Sequence, residues 1–121
     1  MTTKTSVLVA EDEAILRVIA VEMLEDAGFQ VFEAGDGAEA LDLLKSHPEI
    51  ALLISDIKMP RMDGYALVEA GLAFRPDLKI LLMTGYTQDP PPQVLKARDI
   101  QILRKPFNLE RLCILAAEMT A

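Results

Sequence analysis

Five short strand-like runs recur along this chain, at Val7–Ala10, Gln30–Glu33, Ile50–Ser55, Lys79–Met83 and Ile100–Leu103. Between them, apolar residues stand at helical spacing: Ile15, Ile19, Met23 and Leu24; Ala38, Leu41 and Leu44; Ala66, Leu67, Ala70 and Leu72. A closing segment carries Leu109, Leu112, Cys113, Leu115 and Ala116 in the same way. Strands that alternate with helices imply right-handed βαβ crossovers, and hence a parallel sheet covered by helices on both faces. For five strands the expected class is α/β, a flavodoxin-like doubly wound sheet in the order 2-1-3-4-5. Its crevice falls between strands 1 and 3, at their carboxyl ends.

The punctuation agrees with this reading. Gly28 ends the first helix, Asp36-Gly37 forms a turn and N-cap for the second, and His47-Pro48 stops it. Asp63-Gly64 starts the third helix and Arg75-Pro76-Asp77 is its exit turn, while Pro90, Pro91 and Pro92 leave room only for a short helix before strand 5. With 121 residues, 51% of them hydrophobic, the chain is expected to form one domain over 1–121, with no output domain. The formal net charge of −7 opposes attraction to nucleic acid or to an anionic membrane surface. Cys113 stands alone, so no internal disulfide forms, and Glu11, Asp12 and Glu13 interrupt any secretory signal. No stretch is long and apolar enough to span a membrane, so a reducing cytoplasm is the expected compartment.

The third run leads into Asp56-Ile57-Lys58-Met59-Pro60-Arg61-Met62-Asp63-Gly64. The predicted topology sets Asp56 beside Glu11 and Asp12, which follow strand 1. Three carboxylates in one crevice need protons or a cation to offset their charge. Mg2+ fits a shallow, solvated site, since it takes one or two carboxylates and keeps positions for water and phosphate oxygens. Asp12 and Asp56 are the direct ligands on this reading, with Glu11 acting directly or through water. Thr84, at the end of strand 4, offers a hydroxyl, and Lys105, at the end of strand 5, a point charge. A carboxylate so placed can accept a phosphoryl group covalently, with Asp56 as the nucleophile.

Plainer roles stand beside these. Asp12 and Asp63 both lie at predicted helix starts, where capping is the ordinary explanation, and for Asp12 capping and metal binding can coexist. Thr84 alone would be a turn hydroxyl, and Lys105 alone a solvated charge. His47, beside Pro48, is read as a loop residue, Met59 and Met62 as loop packing, and Cys113 as a small apolar residue of the last helix.

In this order and spacing the motifs resemble the response regulator receiver domain of two-component signalling, over essentially the whole chain. In that family an acidic pair follows strand 1, matched by Glu11 and Asp12, and the phosphoacceptor ends strand 3 before a Met-Pro-x-Met-Asp-Gly loop, matched by Asp56 and residues 59–64. A Thr or Ser ends strand 4, matched by Thr84, and a Lys-Pro pair ends strand 5, matched by Lys105-Pro106 before Phe107. The resemblance implies Mg2+ held by Glu11, Asp12, Asp56 and the backbone carbonyl of Lys58, and a cis bond before Pro106. It also implies phosphoryl transfer from a histidine kinase or histidine phosphotransfer protein, self-catalysed rather than enzymatic, with signalling through protein–protein binding as a monomer or weak dimer.

Two features depart from the family's common pattern. Ile102 stands three positions before Lys105, where many receivers carry a mobile aromatic residue. Tyr86, two residues after Thr84, could serve near the same surface, and the proline triplet shortens the helix that in the family helps form the output face. The chain could equally be a receiver cut from a larger hybrid kinase or regulator. Two readings of other classes stand beside it: an interaction module that works without phosphorylation, or a phosphate sink that drains a kinase, and an aspartyl phosphatase. The intact acidic pair, Asp56, Thr84 and Lys105 argue against a module without phosphorylation. The phosphatase is disfavoured because such enzymes place a carboxylate where this chain has Lys58.

Overall fold

The computed structural model describes residues 4–59, 61–84, 100–104 and 108–121. Its elements are β1 (Ser6–Ala10), α1 (Ala14–Asp26), β2 (Gln30–Ala34), α2 (Gly37–Ser46), β3 (Ile50–Asp56), α3 (Gly64–Phe74), β4 (Lys79–Thr84), β5 (Ile100–Arg104) and α4 (Leu109–Met119). All four strand pairings are parallel, and the order is β2-β1-β3-β4-β5. This is the flavodoxin-like sheet that the alternation of runs predicts. Among the described residues no helix is long and apolar enough to cross a membrane.

Each interior strand buries both faces, which is why its sequence is apolar without alternation. Leu8, Ala10, Leu53, Ile80 and Leu82 meet Ala40, Leu44, Leu67, Val68 and Leu72 of α2 and α3 on one side. On the other, Val7, Val9, Leu52, Ile54, Leu81 and Met83 meet Ala20, Val21 and Leu24 of α1 and Leu112 and Ala116 of α4. Ile50 breaks the alternation of β3 and joins the α2–α3 side. A register shift against β1 between Ser6 and Val7 accounts for it, because one extra residue reverses the side to which the strand's start points.

Side-chain caps set the starts of three helices. Asp36 accepts from the Glu39 N–H, Asp63 from Ala66 and Asn108 from Arg111. The first helix ends where Gly28 turns left-handed (φ +101°), with Gly28 N–H bonded to Glu25 and Phe29 N–H to Leu24. His47 closes α2 and lies against the Phe32 ring. The expected short helix after the prolines falls at residues outside those described.

The apolar stripe of α1 is buried only over its later turns. Ile15 and Ile19 are 76% and 39% exposed, and burial begins only at Ala20. The helix leaves the carboxyl end of β1, so its first turns stand at the rim of the sheet and only later ones lie over strands. In α3, likewise, Ala66 is exposed while Leu67, Val68 and Leu72 are buried.

Candidate functional site

Adjacency of β1 and β3 builds the site. Ala10 is in register with Ser55, so the residues that follow β1 come level with Asp56, the last residue of β3. Carboxylate oxygens of Glu11, Asp12 and Asp56 lie within 4.8 Å of one another. Glu11 and Asp56 are buried and Asp12 is exposed, so the cluster opens to solvent on one side. At such separations mutual repulsion amounts to about 1–3 kcal/mol per ionised pair, enough to make a cation a favourable guest. An all-oxygen, anionic donor set matches a hard divalent ion in chemistry.

Glu11 is held from three directions. Its N–H donates to the Ala34 carbonyl (3.1 Å), its carbonyl accepts from Arg17 Nη1 (2.8 Å), and its Oε2 accepts from the Glu13 N–H (3.2 Å). Arg17 in turn pairs with Glu33 through Nε at 3.2 Å, tying α1, β2 and the acidic turn together. The capping role weighed for Asp12 does not appear: the N-cap of α1 is Glu13, with no side-chain cap bond. Asp63, by contrast, caps α3 as expected.

Thr84 ends β4 beside β3, where Met83 is in register with Asp56. The pairing runs one step further, Ile57 N–H donating to the Met83 carbonyl at 3.2 Å. Thr84 Oγ1 is buried and makes no hydrogen bond among the described residues, an unusual state for a hydroxyl in a packed interior. Lys58 is exposed, and the loop beyond it returns at once, Gly64 N–H donating to the Ile57 carbonyl at 2.7 Å. Gly64 permits that return, for a Cβ there would collide with the Asp56 carbonyl and sit 2.8 Å from Ile57 Cα. Met59 and Met62 pack against the α2–α3 core, as loop packing requires. Lys105, Pro106 and Tyr86 fall outside the described residues; β5, which precedes Lys105, ends at Arg104 in register with Thr84.

The sequence profile of the response regulator receiver domain matches residues 7–117. The chain belongs to the response regulator receiver family. Receivers are switched by phosphorylation and signal through protein contacts, which is the functional class of this chain. It is 39% identical over 107 residues to the response regulator receiver protein CpdR of Brucella abortus, covering 88% of each. Against the sensor kinase CckA of the same organism it is 35% identical over 116 residues, 94% of this chain but only 12% of that protein. In structure it resembles chemotaxis protein CheY4 of Vibrio cholerae, with a TM-score of 0.83 at 32% identity, covering 97% of this receiver and 99% of that chain.

Outside the acidic cluster the receiver holds two further structures that motif spacing does not announce. Arg17 is one. The other is Arg61, whose guanidinium donates to Asp36 across 25 positions of sequence. That pair and the Glu39 N–H together hold the Asp36 carboxyl below the usual carboxylate range, the backbone bond contributing most. For Cys113 burial pushes the thiol up, with Glu110 adding to the effect, which leaves it a poor nucleophile at neutral pH.

Proposed function

We propose that Asp56 is the phosphoacceptor of this receiver, and that Glu11, Asp12, Asp56 and the main-chain carbonyl of Lys58 hold the Mg2+ that supports transfer. The observation that carries this reading is the meeting of three carboxylates at the ends of two adjacent strands, next to a strand whose buried terminal hydroxyl has no partner among the described residues. When bound, Mg2+ offsets charge on the carboxylates and on the phosphoryl oxygens. Asp56 attacks phosphorus in line with the leaving group. The phosphorus–nitrogen bond of the donor phosphohistidine breaks, its electron pair stays with the imidazole, and that ring takes up a proton. Thr84 Oγ1 donates to an equatorial phosphoryl oxygen and Lys105 supplies a positive charge to another.

The donor on this reading is a histidine kinase or histidine phosphotransfer protein, and the output is a protein–protein contact, with no nucleic acid or membrane surface involved. Exposed Lys58 stands where an aspartyl phosphatase would need its second carboxylate, which favours a signalling module over turnover of external substrates. A single receiver domain over 1–121, cytoplasmic and monomeric or weakly dimeric, fits the chain's acidity and its lone cysteine. Incubation with Mg2+ and acetyl phosphate, followed by intact mass, tests the site. One phosphoryl adduct is expected, absent without Mg2+ and absent in Asp56→Asn; an adduct that persists in Asp56→Asn would overturn the assignment.

A further inference from the structure

The loop that follows Asp56 is fastened to the start of α2, and both carboxylate oxygens of Asp36 are committed to the fastening. Oδ1 accepts from the Glu39 N–H at 2.8 Å and caps α2, while Oδ2 takes two donors from Arg61, Nε at 3.0 Å and Nη2. Arg61 reaches this position with a left-handed backbone, φ +67°, among the described residues the one such case outside glycine. A side chain pays for that conformation in steric strain, so the surroundings must over-determine it. Part of the constraint is visible one residue on. The Met62 backbone packs so closely on Gly37 that a Cβ there would collide with the Met62 carbonyl oxygen and stand 2.7 Å from Met62 Cβ.

Two fixed points therefore bracket Lys58. On one side Ile57 is bonded to the Met83 carbonyl and to Gly64; on the other Arg61 and Met62 are held to the first residues of α2. We propose that Arg61 is a positioning residue for the phosphoryl site: paired with Asp36, it straps the loop so that the Lys58 carbonyl is presented beside the acidic cluster. This rests on the assignment of Lys58 and the carboxylates to Mg2+. A main-chain ligand cannot be oriented by its own rotamer, so its placement depends on what holds the backbone to either side. The strap supplies that hold from a second helix, and Arg61 touches neither the ion nor the phosphoryl group.

Removing a group that orients a ligand commonly weakens metal affinity by about 10- to 100-fold. Calorimetric titration of the intact chain with Mg2+ should show about a tenfold weakening in Arg61→Ala, with acetyl phosphate labelling slowed in parallel. Asp36→Asn keeps the capping acceptor but loses the charge opposite Arg61, so it should weaken Mg2+ less, and Arg61→Ala combined with Asp36→Asn should match Arg61→Ala alone. Arg61→Lys should recover part of the loss. Leu72→Ala, a core truncation of α3 remote from the loop, reports simple destabilisation and should leave Mg2+ affinity at the wild-type value. Wild-type affinity in Arg61→Ala would overturn the strap while leaving the site intact. Equal weakening in Leu72→Ala would also overturn it, and a wild-type chain that takes neither Mg2+ nor phosphoryl would overturn the site reading and the strap with it.

Discussion

On the proposed phosphoryl site, Thr84 separates the cost of a residue to the fold from its worth to the reaction. Its hydroxyl is buried with no partner among the described residues, so deleting it removes none of their hydrogen bonds and relieves an unsatisfied group. Thr84→Ala should therefore melt within about 1 kcal/mol of wild type, the lost methyl contacts being the main debit. Donation to a charged phosphoryl oxygen is worth about 1.5–3 kcal/mol, so the same variant should be phosphorylated by acetyl phosphate about 10- to 100-fold more slowly. Thr84→Ser should restore most of that rate. A large fall in thermal stability with an unchanged rate would assign the residue to packing instead.

The element that poses the next question is α1, because its first turns carry apolar side chains that the sheet does not use. Ile15, Leu16, Val18 and Ile19 are all exposed, and the helix begins two residues after Asp12. A contiguous apolar surface on an acidic chain is a binding feature more than a folding one. On the proposed assignment of Asp56 as acceptor of a phosphoryl group from phosphohistidine, its position beside the carboxylate cluster suits the donor protein, whereas a small donor such as acetyl phosphate has no use for it. Ile15→Ser should leave stability within about 0.5 kcal/mol of wild type, since the side chain is solvated. Phosphotransfer from a phosphorylated histidine phosphotransfer protein should fall about tenfold, the loss typical of a central apolar contact, while the acetyl phosphate rate holds. Serine is chosen because an acidic substitute would also change the field at Asp12. Equal slowing with both donors would place the effect in the site and not on a docking surface.

At the scale of the whole molecule, the sheet order and the acidic cluster were legible in the sequence for one physical reason: strand periodicity locates strand ends, and the chemistry stands on those ends. Glu11, Asp12, Asp56 and Thr84 each follow or close an apolar run, so topology alone brings them level. What stayed hidden is whatever depends on long-range side-chain reach. Arg17 to Glu33 and Arg61 to Asp36 join residues 16 and 25 positions apart through flexible side chains, and no periodicity marks them. How much of the α1 stripe is buried is unmarked for a related reason, since helical spacing identifies a stripe without saying how far the helix overhangs the sheet. The acidic cluster itself sets a tension between fold and function, because the folded chain gathers charges that the unfolded chain keeps apart. Relieving that repulsion by Asp12→Asn should raise the melting temperature of the metal-free protein, a gain of about 1 kcal/mol or some 4 °C for a domain of this size. On the proposed assignment Mg2+ binds the assembled site and not the unfolded chain, so at about ten times its Kd it should stabilise the wild type by about 1.4 kcal/mol, or some 5 °C. In Asp12→Asn most of that increment should vanish. Melting curves with and without Mg2+, read against a Ca2+-free, chelator-treated reference at constant ionic strength, test both signs at once. If the metal-free variant melted below wild type, the carboxylates would be stabilising the fold by contacts of their own, and repulsion would not be the term that Mg2+ offsets.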